Sequence, residues 1–409
     1  MAASKNRLMD VVTLLLAGAC FIVLLLSAWM ALQVACARPD HPGPEDTGNP
    51  HAQRPPLAVL VPAHNEATGI AATLQALMPQ LREGDRLLVV ADNCSDATAA
   101  IARRHGAEVL ERHDDLLRGK GHALAAGFAV LNEAPRDVLV IVDADCLVAA
   151  GALDALAVQA HTSGRPAQAL YLMTNVPGLV PSRRQRFSEF AWRIKNWVRP
   201  LGLHRLGLPC QLMGSGMAFP WPLMARHSLA SGHLVEDMQL GLEMAKAGHA
   251  PRFCPQALVS SVFPSDAQAQ ARQRTRWEHG HLSMITQTLP GLLGHWLRHP
   301  RRDLLAMALD VAIPPLSLLA FACVLALLVG GLWALLSGAT SALLFALLAC
   351  ALFALAVATA WHRVGRALLS PHDLAQVATY LFWKLPLYAR FVTARQLAWV
   401  RSQRHEEKH

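Results

Sequence analysis

Val138-Leu139-Val140-Ile141-Val142 is an apolar run with no polar interruption, and it stops at Asp143-Ala144-Asp145. A strand covered on both faces has no polar alternation, so this run predicts a buried strand of a parallel sheet. The two carboxylates then emerge at the carboxyl edge of that sheet, where open α/β sheets bind their ligands. Paired acids at a strand end can also cap the next helix. Their place after a buried strand favours holding Mg2+ or Mn2+ against the phosphates of a nucleotide, since such hard cations take oxygen ligands.

The surrounding pattern supplies the rest of such a sheet. Short apolar strands at 57–60, 87–90 and 108–110 alternate with helical spacing at 67–77, 97–105 and 122–131. That alternation predicts an α/β, doubly wound, mostly parallel sheet. Farther on, 170–176 reads as a strand, Gly214-Ser215-Gly216 as a turn entering another, and 237–247 as a helix stopped by Gly248.

Apolar residues make up 53% of the 409 and charged residues only 16%, with the excess concentrated near both ends. Residues 9–35 form a stretch long enough to cross a bilayer and too long for a signal-peptide core, so an uncleaved span is expected. Two further spans are expected within 304–361, as 306–336 and 341–361, joined at Gly338, with Pro314-Pro315 early in the first. Between them 57–280 reads as the catalytic domain, after a tail at 1–8 and a linker at 36–56 rich in Pro, Gly and acids. Residues 185–198 mix Phe187, Phe190, Trp192 and Trp197 with arginines and suit a helix lying on the membrane surface, as does 281–303. For 374–400 an interfacial helix is preferred to a fourth span, within a cytosolic segment 362–409 that ends in a basic tail.

The formal charge of +8 gathers beside these segments, at Arg183, Arg184, Arg186, Arg193, Lys195, Arg199, Arg298, Arg301, Arg302, Arg363, Arg366, Arg390, Arg395, Arg401 and Arg404. Interleaving with Trp and Phe next to spans points to membrane lipids rather than nucleic acid. The same count places the protein in the cytoplasmic (inner) membrane as a multi-pass chain. Its central domain and C-terminal tail face the cytosol, an orientation Lys5 and Arg7 mildly oppose. The eight cysteines include no C-x-x-C pair, which implies free thiols in a reducing compartment, with Cys94 and Cys146 read as small packing residues.

Several strand exits carry further candidates. Pro62-Ala63-His64-Asn65-Glu66 follows the first strand, and Asp92 the second, where a carboxylate can accept from a nucleobase or a ribose hydroxyl. Gly119-Lys120-Gly121 lets an ammonium approach an anion but is not a P-loop. In Val235-Glu236-Asp237 one acid is expected to cap the helix and the other to act as a general base, in an order the residues leave open. Arg276 can fork onto a pyrophosphate and Trp277 can stack on a sugar ring.

Taken in order, these motifs resemble the membrane-bound family 2 glycosyltransferases of the GT-A fold, the group that includes cellulose, hyaluronan and poly-N-acetylglucosamine synthases. The likeness runs through 57–277. Pro62, His64, Asn65 and Glu66 match the opening motif, Asp92 the second-strand acid, and Asp143 and Asp145 the D-x-D. Glu236 and Asp237 match x-E-D, and Gln273, Arg276 and Trp277 match Q-x-x-R-W. The chain departs from many relatives in having one acid, not two, at Asp92, and Val235 where Thr or Gly is frequent. The resemblance implies inverting transfer from a nucleotide-diphospho-sugar, most often a UDP-sugar, without a covalent intermediate. It assigns the donor to Pro62, His64, Glu66, Asp92, Lys120, Asp143, Gln273 and Arg276, and a metal to Asp145 and Asp143. It assigns catalysis to Asp237 with Glu236, and the acceptor to Trp277, Gly214 and Ser215. Synthases that thread their own polymer have more spans. This chain is therefore expected to extend a polysaccharide with assembly partners or as a homo-oligomer, or to add a sugar to a lipid-linked acceptor such as a polyprenyl phosphate. A non-catalytic scaffold would need none of these acids.

Overall fold

A computed structural model describes residues 2–39, 54–176, 178, 180–230, 235–264 and 266–393. Most of the 36–56 linker and the basic tail with Arg395, Arg401 and Arg404 lie outside these residues.

In chain order, α1 (Ala2–Cys36) precedes β1 (Leu57–Ala63), α2 (Ile70–Leu77), β2 (Arg86–Asp92), α3 (Thr98–Arg104), β3 (Glu108–Arg112), α4 (Lys120–Leu131) and β4 (Val138–Ile141). Next come β5 (Leu147–Val148), α5 (Ala152–Ser163), β6 (Ala167–Thr174), α6 (Arg183–Arg193), α7 (Arg199–Arg205), β7 (Met217–Pro220), α8 (Trp221–Met224), α9 (Glu236–Lys246) and β8 (Arg252–Val262). The remainder is helical: α10 (Ala267–Ser283), α11 (Leu289–Arg298), α12 (Arg302–Ala312), α13 (Leu316–Ser337), α14 (Ser341–Ala360), α15 (Pro371–Ala375) and α16 (Val377–Thr393).

The strands form one sheet of eight in the order β3-β2-β1-β4-β7-β6-β8-β5. The first four are mutually parallel, as the βα alternation predicts, and β7 then runs antiparallel to β4, with Ile141 opposite Met217. Beyond it the sheet is mixed, so the α/β GT-A class holds while the parallel order is confined to the first half. The apolar runs have no polar face because both faces are covered. Val59, Val61, Val138, Val140 and Val142 pack toward α2 and α5, whereas Leu60, Leu139 and Ile141 pack toward α4. Pro62 does not end β1. β4 pairs only as far as Leu60, so a residue without an N–H is tolerated two positions later.

Three helical readings are corrected. The 185–198 segment does not lie on the membrane surface: Phe187, Phe190, Ile194 and Trp197 are buried between Leu170, Leu172 and Phe253 of the sheet and Met30 and Val34 of α1. Fully burying a Phe contributes about 1.5–3 kcal/mol, more than the roughly 1 kcal/mol an Arg gains near anionic headgroups, so the aromatic stripe decides the placement. Its arginines are correspondingly engaged within the protein, Arg186 to Asp373 at 2.7 Å and Arg193 to Glu189 at 2.7 Å. The 306–336 span is broken at Pro314-Pro315, which separates α12, buried against α9 and α11, from the apolar α13. His281 belongs to α10, and the candidate interfacial helix is α11 alone. Among the described residues three helical stretches, Asn6–Cys36, Leu316–Ser337 and Ser341–Gly365, are long and apolar enough to cross a membrane, and α16 is not one of them.

Helix α7 meets α1 with no room to spare. A Cβ on Gly202 would sit 1.9 Å from the Gln33 carbonyl oxygen and 2.7 Å from its carbon, backbone that cannot swing aside. Gly202→Ala is expected to push α7 off the span and to destabilise the detergent-solubilised protein by about 1–3 kcal/mol. Gly294→Ala in α11, where a Cβ meets nothing within 4 Å, should be neutral or slightly stabilising. Thermal unfolding followed by tryptophan fluorescence separates the two, and equal melting temperatures would show that the close approach is unimportant.

Candidate active site

Every element of the site reaches the edge where the parallel strands end. After Val142, whose N–H still donates to the Leu60 carbonyl at 3.2 Å, the chain turns tightly through Asp143–Cys146, with the Cys146 N–H on the Asp143 carbonyl at 3.1 Å. The turn is pinned from both sides. The Thr73 hydroxyl donates to the Ala144 carbonyl at 2.8 Å, and the Asp143 N–H donates to Ser215 Oγ at 3.0 Å. Ser215 is fully buried, so its part is to hold the aspartate loop rather than to meet a ligand. Because β7 is antiparallel, its leading turn Gly214–Gly216 lies at the same edge as the exits of β1, β2 and β4.

Lys120 opens α4 behind Gly119 and reaches across the edge, with Nζ 2.5 Å from Asp143 Oδ1 and 2.6 Å from the Gly214 carbonyl. Burial alone would lower its pKa, but Asp143, Glu236 and Asp237 outweigh burial and raise it, so the ammonium stays charged. Asp143, Asp145 and Cys146 place their ligand atoms within 4.8 Å of one another. Burial pushes the Cys146 thiol up to about 12, so it remains protonated and leaves the two carboxylates as the anionic donors. Paired carboxylate oxygens fit a hard divalent cation.

Glu236 and Asp237 form the first turn of α9, after Val235, which occupies the cap position without a side-chain cap. Neither acid is the cap that was expected, and His233 and Leu234 before them lie outside the described residues. Burial raises the pKa of both carboxyls, and Asp237 pushes Glu236 up further, against the pull of Lys120. Asp237 Oδ2 comes within 3.2 Å of where a Cβ on Gly214 would be, and Gly214 has φ +91°, so both space and backbone require glycine there.

From α10, buried Gln273, half-buried Arg276 and Trp277 project into the same cavity, of about 180 Å3, which Lys120, Asp143, Glu236 and Asp237 also line. Burial lowers the Arg276 pKa while the cavity acids pull it back up. The Trp277 ring lies 4.9 Å from that of Trp192, centroid to centroid, and Trp192 donates its indole N–H to the Tyr171 carbonyl at 3.1 Å. Tyr171, Trp192, Lys195, Asn196, Arg199 and His281 complete the wall. From sequence Trp192, Lys195 and Arg199 read as part of a basic-aromatic lipid contact, and Tyr171, Asn196 and His281 carried no site signal.

The β1 and β2 exits share the edge but not the cavity. Asn65, at φ +53°, ties the two loops together through Ser95, accepting its N–H at 2.7 Å. His64 Nδ1 lies 2.7 Å from the Asp92 carbonyl. Asp92 is 6% exposed and accepts from Arg112 Nη1 at 2.6 Å, so this carboxylate has a cationic partner within the fold. Glu66 Oε2 comes within 3.6 Å, and the Ala144 carbonyl within 4.0 Å, of where a Cβ on Gly69 would be, which puts Glu66 beside the aspartate loop. Asp145 stands on that loop and does not line the cavity.

Residues 55–280 match the model of a family described as "Glycosyltransferase like family 2". A "Probable glycosyltransferase YdaM" of Bacillus subtilis is 28% identical over 244 residues, covering 58% of this chain and 57% of that protein. An "N-acetylglucosaminyltransferase" of Rhizobium meliloti is 27% identical over 290 residues, 66% of each chain. The chain thus spans 57–66% of the length of these two curated relatives. Among solved structures, the mannosyltransferase PcManGT of Pyrobaculum calidifontis, in complex with GDP-Man and Mn2+, aligns over 84% of this chain and 98% of its own with 20% identity and a TM-score of 0.49. The match to the family model covers more than half of the chain and includes the aspartate loop, the α9 acids and the α10 motif, and the chain belongs to glycosyltransferase family 2.

Proposed function

We propose that this protein is an inverting glycosyltransferase that moves a sugar from a nucleotide-diphospho-sugar, a UDP-sugar by the resemblance of its motifs, to a hydroxyl of an acceptor at the cytosolic face of the membrane. The observation that carries the reading is the convergence of Lys120, Asp143, Glu236, Asp237, Gln273, Arg276 and Trp277, drawn from four segments, on one cavity.

In this reading the acceptor oxygen attacks the anomeric carbon from the side opposite the diphosphate. The new C–O bond forms as the bond from that carbon to the β-phosphate oxygen breaks, and the electron pair leaves with the nucleoside diphosphate. The acceptor proton passes to Asp237, whose buried carboxylate is a stronger base than one in water. Lys120 and Arg276 are the cations placed to meet charge on the leaving group. Asp143 and Asp145 would hold Mg2+ or Mn2+, which neutralises diphosphate charge when bound. Glu66 and Asp92, on the neighbouring exits, suit the base and ribose of the donor, with Pro62 and His64 shaping that end. Trp277 suits the face of a sugar ring, and Gly214 leaves room for Asp237 beside it. Polymer extension, with or without partner subunits or a second copy, stays within the same chemistry.

The orientation rests on charge. Arg301, Arg302, Arg363 and Arg366 lie at the helix ends beside the catalytic domain, and 338–340, between α13 and α14, carries no charge.

Asp237→Asn is expected to keep nucleotide binding and to lower the transfer rate by roughly 100-fold to 10,000-fold. The wild-type rate should fall as pH drops through a carboxylate pKa above the usual value of about 3.9, because burial raises Asp237 and only its ionised form accepts the proton. A variant that turns over normally, or an acid limb that persists unchanged in it, assigns the base elsewhere. Chelation of divalent cations should stop transfer, Mn2+ or Mg2+ should restore it, and Asp145→Asn should raise the cation concentration needed by about 10–100-fold. Undiminished release of nucleoside diphosphate in excess chelator would remove the metal from the reading.

A further inference from the structure

A second cavity, of about 450 Å3, shares Trp192, Lys195, Arg199, Gln273, Trp277 and His281 with the reaction cavity. Away from that common wall its lining is mostly apolar, with Arg274, Glu278 and Lys384 as its charged members, and comes largely from the span-length helices and the segments packed on them. Met30 of α1, Phe187 and Phe190 of α6, Leu316 of α13, and Phe353 and Val357 of α14 are its main surfaces. It therefore runs from the wall shared with the reaction cavity toward the span-length helices. Its size falls within the roughly 300–1,000 Å3 of sites that enclose a small ligand.

Three buried polar atoms on its wall, Asn175 Oδ1, Glu278 Oε2 and Tyr380 OH, have no hydrogen-bond partner among the described residues. Tyr380 as a whole is 8% exposed. Lys195 makes no hydrogen bond or ion pair among the described residues and is accessible from the cavity at the neck between the two chambers. A glycan threaded here would set many of its hydroxyls against the apolar faces of Met30, Leu316, Phe353 and Val357, which is unfavourable. A hydrocarbon chain would gain from the same walls. The position between spans and site, the mostly apolar lining and Lys195, which has no ion pair among the described residues, agree on one occupant.

Resting on the transferase reading, the geometry points to an amphipathic lipid as the acceptor. Its hydrocarbon chain lies in this second cavity. Its head carries an anionic phosphate that meets Lys195, and a hydroxyl that passes the Trp192–Trp277 neck to Asp237. No bond changes in the chain-binding chamber; the lipid hydroxyl is the nucleophile of the displacement described above.

The test uses the full chain in phosphatidylcholine nanodiscs with two photoreactive probes, a diazirine-bearing hexadecanol and its phosphate monoester, followed by peptide mapping. Labelling is expected on α6 and the inward face of α14. It should fall by about tenfold in Val357→Trp and in the smaller filling variant Val357→Phe. The phosphate ester should label more than the alcohol, and Lys195→Gln should erase that preference. Labelling confined to the lipid-facing surface of α13 and α14, or unchanged in both filling variants, overturns the assignment. So does displacement of the probe by a soluble oligosaccharide, which would identify a glycan passage instead. Nucleotide binding and release, measured in the same samples, report on the transferase reading separately. Loss of nucleotide turnover with cavity labelling intact would sink the reaction and leave the lipid site standing.

Discussion

Arg199 holds the molecule together where α1, the first of the three span-length helices, meets the catalytic domain. Its guanidinium donates to Asp310 Oδ1 at 2.7 Å and to Gln33 Oε1 at 2.8 Å, while Gln33 donates to Asp310 at 2.9 Å. The three side chains come from α7, α12 and α1, and the charged pair is only 9–10% exposed. A buried pair of this kind adds little net stability relative to an apolar replacement, but removing one partner strands the other charge at a cost of about 3–5 kcal/mol. The network therefore specifies one docking of span on domain rather than merely favouring contact. Arg363 reinforces it by donating to the Val34 carbonyl at the end of α1. Arg199 and Asp310 also line the reaction cavity, so the membrane attachment and the site share a wall.

That shared wall changes what the membrane helices are for. A tether could be joined to the domain anywhere, whereas here α7 and α12 close one side of the chamber that holds the α9 acids, and Gln33 of α1 is bonded to both. The chamber gathers Asp143, Glu236, Asp237 and Asp310 with Lys120, Lys195, Arg199 and Arg276, a nearly balanced set of acids and cations inside protein. Burial raises the α9 carboxyls and lowers Lys195 and Arg276 at once, so each charge depends on its neighbours for its ionised form. Any anion entering the chamber changes that balance and with it the ionisation of the α9 carboxyls.

The sheet and its acids were legible in the sequence because they depend on local pattern. Val138–Val142 with Asp143 and Asp145, the β1 and β2 exits, and the α9 start all follow from apolar periodicity and polar punctuation. What escaped depended on partners. Phe187, Phe190 and Trp197 among arginines satisfy an inward and a lipid-facing placement equally well until α1 is known to lie beside them. Asp92 shows nothing in the sequence of its partner Arg112, which reaches it from the end of the adjacent strand. Pro314-Pro315 was treated as a tolerable kink, yet two consecutive prolines remove two N–H groups and end α12 outright. Lys195 and Trp192 carried no motif, and only the three-dimensional path of α6 into α7 puts them at the neck.

The antiparallel strand β7 accounts for the last feature of the architecture. Had the sheet stayed parallel beyond β4, the chain preceding the next strand would lie at the opposite edge, far from the aspartate loop. Reversing β7 sends its leading turn back to the carboxyl edge, where Ser215 grips the Asp143 N–H and the Gly214 carbonyl accepts from Lys120. The same reversal returns the chain through α8 and places the first turn of α9 against Gly214. One change of strand direction thus brings the α9 carboxylates to the edge built by the first half of the chain, and the mixed sheet is the structural condition for that meeting.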